Sequence, residues 1–199
     1  MEDTISAFVS IAAAMFVTEL TDKDALLLLA LASRTRAALV FLAGSSAFVL
    51  TTVVNVGIGA LATSFVPLAW IKVAGGSVMV AYGLWEAKGL IGKKLIEEEE
   101  RRLEKERGPL RAFLGMVGAL VLLDLAGDAT QVLTIVFVAH YSDTVLVFVA
   151  TCLGLIAATG LETALGNRLG RLLTPERLRF VSVVVFLALG SFIVITSAM

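Results

Sequence analysis

Long apolar, charge-poor stretches alternate with short polar segments along the whole chain. Each stretch is about as long as an α-helix must be to cross the hydrocarbon core of a bilayer. Segments rich in Ser, Thr, Arg, Asp or Pro interrupt the stretches and are typical of loops. The pattern predicts six transmembrane helices, at residues 5–33, 37–62, 66–86, 112–139, 144–167 and 178–197.

The composition agrees with a membrane protein. Of the 199 residues, 58% are hydrophobic and 17% are charged, and the mean hydropathy is +0.94. A soluble domain is about 45–50% apolar and about 25% charged. These values exclude a soluble enzyme, a disordered chain and, with a net charge of -1, an ordinary nucleic-acid-binding protein. Cys152 is the single cysteine, so no disulfide framework is expected.

The distribution of Lys and Arg predicts the orientation. In a six-helix protein, the loops at Arg34–Arg36, at 89–111 and at Arg168–Arg179 lie on one side, and they carry nearly all the basic residues outside the spans. By the positive-inside rule, that side is cytoplasmic. We therefore expect a multi-pass plasma-membrane protein with both termini outside. The charged 89–111 linker should be a solvated helix with pairs such as Glu97–Arg101.

The two halves of the chain match each other in sequence when one is shifted by 106–107 positions. The segment that begins at Asp22 matches the one that begins at Asp128, and Thr52 and Gly59 match Thr159 and Gly166. Three spans per half are an odd number, so the second half would enter the membrane from the opposite side. We predict an all-α integral membrane protein with two inverted three-helix repeats, residues 1–88 and 112–199, joined by the linker 89–111. In such proteins the substrate site lies near the midplane between the repeats.

Six acidic residues and one lysine fall inside predicted spans 1, 4 and 5: Glu19, Asp22, Asp24, Asp124, Asp128, Glu162 and Lys23. A charge at the centre of a membrane helix costs about 2.5–3.5 kcal/mol on insertion scales. Such residues must face a cavity, form pairs, take up protons or hold a cation. Together they carry an excess of five negative charges if all are ionised, which favours a cation as the bound species.

Helical spacing groups the acids. Glu19 and Asp22 are three residues apart and share a face of an ideal helix, while Asp124, Asp128 and Gln131 form one stripe. If spans 1 and 4 cross, these groups converge. Carboxylate and amide oxygens are hard ligands that suit Ca²⁺, Mn²⁺ or Mg²⁺. Asn55 and Glu162, each three residues after a Thr, are candidates to complete the shell.

Simpler roles remain open for several of these residues. Glu19 and Lys23 are four residues apart in the favourable order and would neutralise each other. Asp24 lies about 200° around an ideal helix from Asp22, so it points elsewhere on a straight helix. Glu162 would also serve as a protonated hydrogen-bonding group between helices. Glycines such as Gly57, Gly59 and Gly166 are expected to let helices approach closely.

The segment Glu19–Asp24 resembles the signature Glu-x-Gly-Asp-Lys/Arg-Ser/Thr of the GDT family, the transmembrane protein 165 group of cation/proton exchangers in the LysE-like superfamily. The family carries this signature twice, and the second copy here is Leu125–Thr130, followed by Gln131. The resemblance covers nearly the whole chain and implies a six-helix inverted-repeat fold. It also implies exchange of Mn²⁺ or Ca²⁺ against protons, with the acids of the signature as ligands.

Both copies depart from the signature. Thr21 and Asp24 replace the glycine and the hydroxyl residue in the first copy, and Leu125 and Ala129 replace the Glu and the basic residue in the second. Asp124 lies one position before the missing Glu, so it or Asp24 is the candidate replacement. The resemblance supports six site residues directly: Glu19, Asp22, Lys23, Asp128, Thr130 and Gln131.

The predicted function is secondary active transport of a divalent metal ion, with Glu19, Asp22, Asp24, Asp124, Asp128 and Gln131 as ligands. Lys23, Thr130, Asn55 and Glu162 are candidates for supporting or proton-coupling roles. The protein is not expected to be an enzyme or to hold a cofactor. Its expected partners are the metal ion, protons and lipids; a homodimer is left open. The alternatives are a LysE-like exporter of a small molecule such as a cationic amino acid, an intramembrane aspartyl protease and a purely structural membrane protein.

Overall fold

The computed structural model describes residues 2–87, 108–125, 129–141 and 143–169, and residues 184, 187, 188, 191, 194 and 195 near the C-terminus. Seven helices span the continuous ranges. They are α1 (Glu2–Leu20), α2 (Lys23–Arg34), α3 (Ala37–Phe65), α4 (Leu68–Ala87), α5 (Pro109–Leu125), α6 (Ala129–His140) and α7 (Thr144–Leu169). Most of the predicted linker, most of the predicted sixth span and Asp128 lie outside the described residues.

In the described part, three helices are long and apolar enough to cross a membrane: α1 from Asp3, α3, and α7 up to Gly166. The pair α5 and α6 makes a fourth span if the two are counted together. The prediction of an all-helical protein with several membrane spans is confirmed to this extent, and no strand occurs in the ranges given above. The arrangement of six spans stays a prediction.

The first and fourth predicted spans were expected to be continuous helices, and this expectation was wrong. Span 1 is divided into α1 and α2 at Thr21 and Asp22, and span 4 is divided into α5 and α6. The axes of α5 and α6 differ by 64°. Apolar periodicity predicts a helix on each side of such a break, but it does not show where polar groups interrupt the backbone hydrogen bonds.

The breaks occur at equivalent places. Helix α6 begins and ends 106 positions after α2, which is the shift seen in the sequence. The helix packing is reciprocal as well. Helix α7 packs against α1, α2 and α3, and α3 packs against α5, α6 and α7. The long helices α3 and α7 therefore form the centre of the bundle, and each supports the broken helix of the opposite half.

The core of the bundle is apolar, and α1, α2, α3, α5, α6 and α7 contribute side chains to it. Ile11 and Met15 of α1 and Leu27 and Leu28 of α2 are fully buried, as is Phe48 of α3. Many large side chains on the outer faces remain exposed, such as those of Leu42, Leu50, Val53 and Leu61. An apolar outer surface of this kind is what a bilayer requires of a membrane helix.

Candidate cation site at two helix breaks

The first helix break lies within the segment that resembles the family signature. The backbone N–H groups of Thr21 and Asp22 donate to the carbonyls of Thr18 and Glu19, at 3.1 and 3.0 Å. These bonds reach back three residues rather than four, so the last turn tightens and α1 ends. The Thr21 hydroxyl also donates to the Thr18 carbonyl at 2.8 Å. Because the hydroxyl supplies this bond, Thr21 stabilises the turn at a position where the family signature has glycine.

The second break lies within the second copy of the signature. Helix α5 ends at Leu125 and α6 begins at Ala129, so Asp128 falls between them. Asp124 and Gln131 consequently lie on two helices rather than on the single stripe that an ideal helix predicts. Irregular backbone at membrane depth occurs only where it is buried in protein or lines a cavity. At the first break, Thr21 and Asp22 are both buried, so this break lies inside the bundle.

All the candidate acids that the structure describes lie inside the protein. Glu19, Asp22, Asp24, Asp124 and Glu162 are each no more than 3% exposed. Thr18, Thr130 and Asn55 are buried as well, and Gln131 is half-buried. The interior position removes these groups from lipid, as the cost of a charge in hydrocarbon requires.

Asp124 lies one residue before Leu125, the position at which the second signature lacks its Glu. Asp124 is buried and accepts a hydrogen bond from the Thr130 hydroxyl at 3.2 Å. Leu125, at the position of the missing Glu, is 38% exposed. The side chain that the signature segment turns inward is therefore Asp124, and a hydroxyl of the same signature holds it.

Asn55 and Gln131 join the two halves of the chain directly. The Gln131 amide donates to the Asn55 side-chain oxygen at 3.1 Å, which links α3 to α6 immediately beside the second break. The sequence predicted both residues as site candidates. The tertiary structure adds that they contact each other, although 76 positions separate them.

Thr18 was not among the candidates. It is completely buried on α1, and its hydroxyl has no hydrogen-bond partner in the described ranges. At the repeat shift of 106, Thr18 matches Asp124 and Asp24 matches Thr130, so a hydroxyl and a carboxylate have exchanged places between the halves. The repeat register contained this signal, but only the Asp124–Thr130 hydrogen bond shows that the two positions face each other.

Among the described residues, the acidic side chains are not clustered into a metal site. Within the ranges that the structure covers, which omit Asp128, no three Asp, Glu, His or Cys side chains lie close enough together to hold a metal ion. Lys23 opens α2, and its side chain lies outside the described residues. The predicted convergence of all the acids on one ion thus stays a prediction.

The comparison with protein families decides the class of this membrane protein. The family model described as "Divalent cation/proton antiporter GDT1" matches residues 7–92 and 112–199. The chain belongs to the GDT1 family. The resemblance noted from the two signatures is confirmed, and GDT1 proteins are transporters rather than a family of enzymes. No curated protein matches the chain. No solved structure matches it either.

Within the GDT1 match, the two segments each contain one helix break and one copy of the signature. Residues 93–111, which include most of the predicted charged linker, fall between them. The acids described above therefore lie in the parts of the chain that the family shares.

Proposed function

We propose that this protein exchanges a divalent metal ion, Mn²⁺ or Ca²⁺, for protons across the membrane by alternating access at a midplane carboxylate site. The observation that carries the proposal is the burial of carboxylates at two matching helix breaks in a member of a divalent cation/proton antiporter family. Buried acids of this kind need a cation or protons to neutralise them.

The chemistry of the donors favours a hard divalent ion. The proposed ligands are carboxylates and one amide, from Glu19, Asp22, Asp24, Asp124, Asp128 and Gln131. Oxygen donors of this type select Ca²⁺ or Mn²⁺ over soft metals, and no thiolate or imidazole is required. Thr130 orients Asp124, and Asn55 orients Gln131, through the hydrogen bonds given above. Lys23 and Glu162 complete the set as charged neighbours of the ligands.

The proposed architecture is a pair of inverted three-helix repeats. Three observations support it: the equal spacing of the breaks, the reciprocal packing of α3 and α7, and the division of the family match into two segments of similar length. In this architecture the half-helices at the breaks line the site, and one repeat rocks against the other. The metal enters when the carboxylates are ionised, and protons replace it when the site faces the opposite side.

The distribution of arginines supports the proposed orientation. Both termini would face outward, and the linker 89–111 would be cytoplasmic, in the plasma membrane. Residues 1–88 and 112–199 would then be the two repeats. Cysteine labelling from outside intact cells tests this orientation, with one cysteine placed after Ile5 and another placed in the linker.

The transport proposal is tested in proteoliposomes that contain the purified full-length protein. We expect Mn²⁺ or Ca²⁺ flux that accelerates with an opposing proton gradient. Asp22→Asn and Asp128→Asn should each reduce this flux at least tenfold. Asp143→Asn is the matched control, because Asp143 is exposed and caps α7 by accepting the Leu146 N–H at 3.0 Å, a bond that Asn retains.

The alternative of a LysE-like amino-acid exporter is separated in the same vesicles. Lysine and arginine should neither be transported nor compete with Mn²⁺. Lysine flux that survives without any divalent ion would replace the proposal with the exporter. Normal Mn²⁺ flux in both Asp→Asn variants would overturn the assignment of the site.

A further inference from the structure

Glu162 is a buried carboxylate outside both signature segments. It lies on α7, is 1% exposed, and neither of its carboxyl oxygens has a hydrogen-bond partner among the residues that the structure covers. A buried acid without hydrogen bonds is costly, so such a group usually carries a proton or meets a cation.

The neighbours of α7 place Glu162 beside the first helix break. A Cβ atom at Gly154 would lie 3.0 Å from the Cβ atom of Met15 on α1, and one at Gly166 would lie 2.9 Å from the Cβ atom of Ala32 on α2. Glu162 lies between these two contacts, about 12 Å along the helix from Gly154 and about 6 Å from Gly166. At the same rise per residue on α1 and α2, these distances bring Glu162 to the level of the first turns of α2, directly after the junction that holds Asp22.

The position that matches Glu162 in the other half of the chain belongs to a hydrogen-bonded pair. At the repeat shift, Glu162 matches Asn55, and Ala25 matches Gln131. Asn55 and Gln131 form a hydrogen bond beside the second break. The pair that would correspond to them is a carboxylate opposite an alanine, and alanine has no donor to offer. The first half thus has an additional negative group where the second half has a neutral, internally bonded pair.

We propose that Glu162 is a ligand of the transported divalent cation, acting with Glu19 and Asp22 at the break between α1 and α2. This inference rests on the proposed transport function. In the described residues the acids are not gathered around one point, so cation binding would draw them together. Ala25, the counterpart of Gln131, has no side-chain donor group, so it cannot engage the Glu162 carboxylate as Gln131 engages Asn55.

The test measures Mn²⁺ binding to the purified full-length protein by calorimetry. Glu162→Gln should weaken binding at least tenfold. Ala25→Gln, which recreates the hydrogen-bonding donor of the second half, should weaken it at least threefold while the carboxylate stays in place. Asp143→Asn, in an exposed loop, should remain within twofold of the wild type.

A structural role would give different results. If Glu162 only held helices together, Glu162→Gln would lower the melting temperature of the metal-free protein and leave the affinity unchanged. If Glu162 is a ligand instead, Glu162→Gln should leave the melting temperature of the metal-free protein unchanged or raise it. Where Glu162→Gln does not fold, Glu162→Asp keeps the charge but shortens its reach, and it should weaken binding at least threefold.

If the wild type binds Mn²⁺ and Glu162→Gln binds it within twofold of the wild-type affinity, this inference alone is overturned. The same holds for Glu162→Asp where that variant replaces Glu162→Gln. A wild-type protein that binds neither Mn²⁺ nor Ca²⁺ overturns the proposed transport function, and this inference with it. The two failures are therefore distinguishable.

Discussion

Gly59 and Gly166 make equivalent contacts with opposite halves of the molecule. A Cβ atom at Gly59 would lie 2.9 Å from the Cβ atom of Val138, and one at Gly166 would lie 2.9 Å from the Cβ atom of Ala32. Both pairs follow the repeat shift, 107 positions for the glycines and 106 for their partners. Each long helix therefore approaches the second half-helix of the opposite repeat at one closely packed point.

The approach at Gly166 leaves no room for a methyl group. We expect Gly166→Ala to destabilise the protein by about 1–3 kcal/mol, because the new Cβ atom would lie 2.6 Å from the Leu29 carbonyl oxygen. Gly57→Ala is the matched control on α3, where nothing lies within 4 Å of the added atom, and it should be neutral or stabilising by up to about 1 kcal/mol. Thermal unfolding in detergent compares them. Equal melting temperatures would show that α2 and α7 are not in close contact.

Asp124, one position before the Glu that the second signature lacks, is expected to be required for transport. Asp124→Asn keeps the shape of the side chain and removes its charge, so Mn²⁺ flux should fall at least tenfold. Leu125→Ala, at the neighbouring position that faces outward, should keep flux within about twofold. If instead Leu125→Ala abolishes flux and Asp124→Asn does not, the inward acid has been assigned to the wrong residue.

The bond between Asn55 and Gln131 predicts a coupling between two distant positions. Asn55→Ala and Gln131→Ala should each destabilise the protein, and the double variant should lose less than the sum of the two. The coupling energy should be about 0.6 kcal/mol, the average for side-chain hydrogen bonds within membrane proteins. A double-mutant cycle in chemical unfolding measures it. Strict additivity would contradict the contact.

Metal binding should release protons. Carboxylate ligands must be ionised to hold the ion, so the apparent affinity for Mn²⁺ should decrease as the pH falls and protons compete for the same oxygens. Calorimetry in two buffers of different ionisation enthalpy gives the number of protons released. An affinity that is independent of pH, with no proton release, would show that metal binding is not coupled to protons and would contradict the proposed exchange.

Much of the fold was accessible from hydrophobicity alone. Long apolar stretches predicted membrane helices, and the excess of buried acids over Lys23 indicated a cation. The breaks at Thr21 and beside Asp128 were missed, because periodicity reports which residues are apolar and not which backbone groups are hydrogen-bonded. The role of Asp124 was left open for the same reason, since an ideal helix gives the wrong direction for a side chain next to a break.

The sequence alone is enough to recognise a membrane protein, because the energy of transfer into a bilayer depends on composition and segment length, both of which are local properties. It also determined the repeat register, since two related segments keep their spacing. The tertiary structure alone shows that Thr130 holds Asp124 and that Gln131 reaches Asn55. It also shows that, among the residues it describes, Glu162 has no hydrogen-bond partner of the kind that Asn55 has. Those relationships depend on the angle between half-helices and on the packing of α3 and α7 against them, and no periodicity along a single chain encodes an angle between two helices.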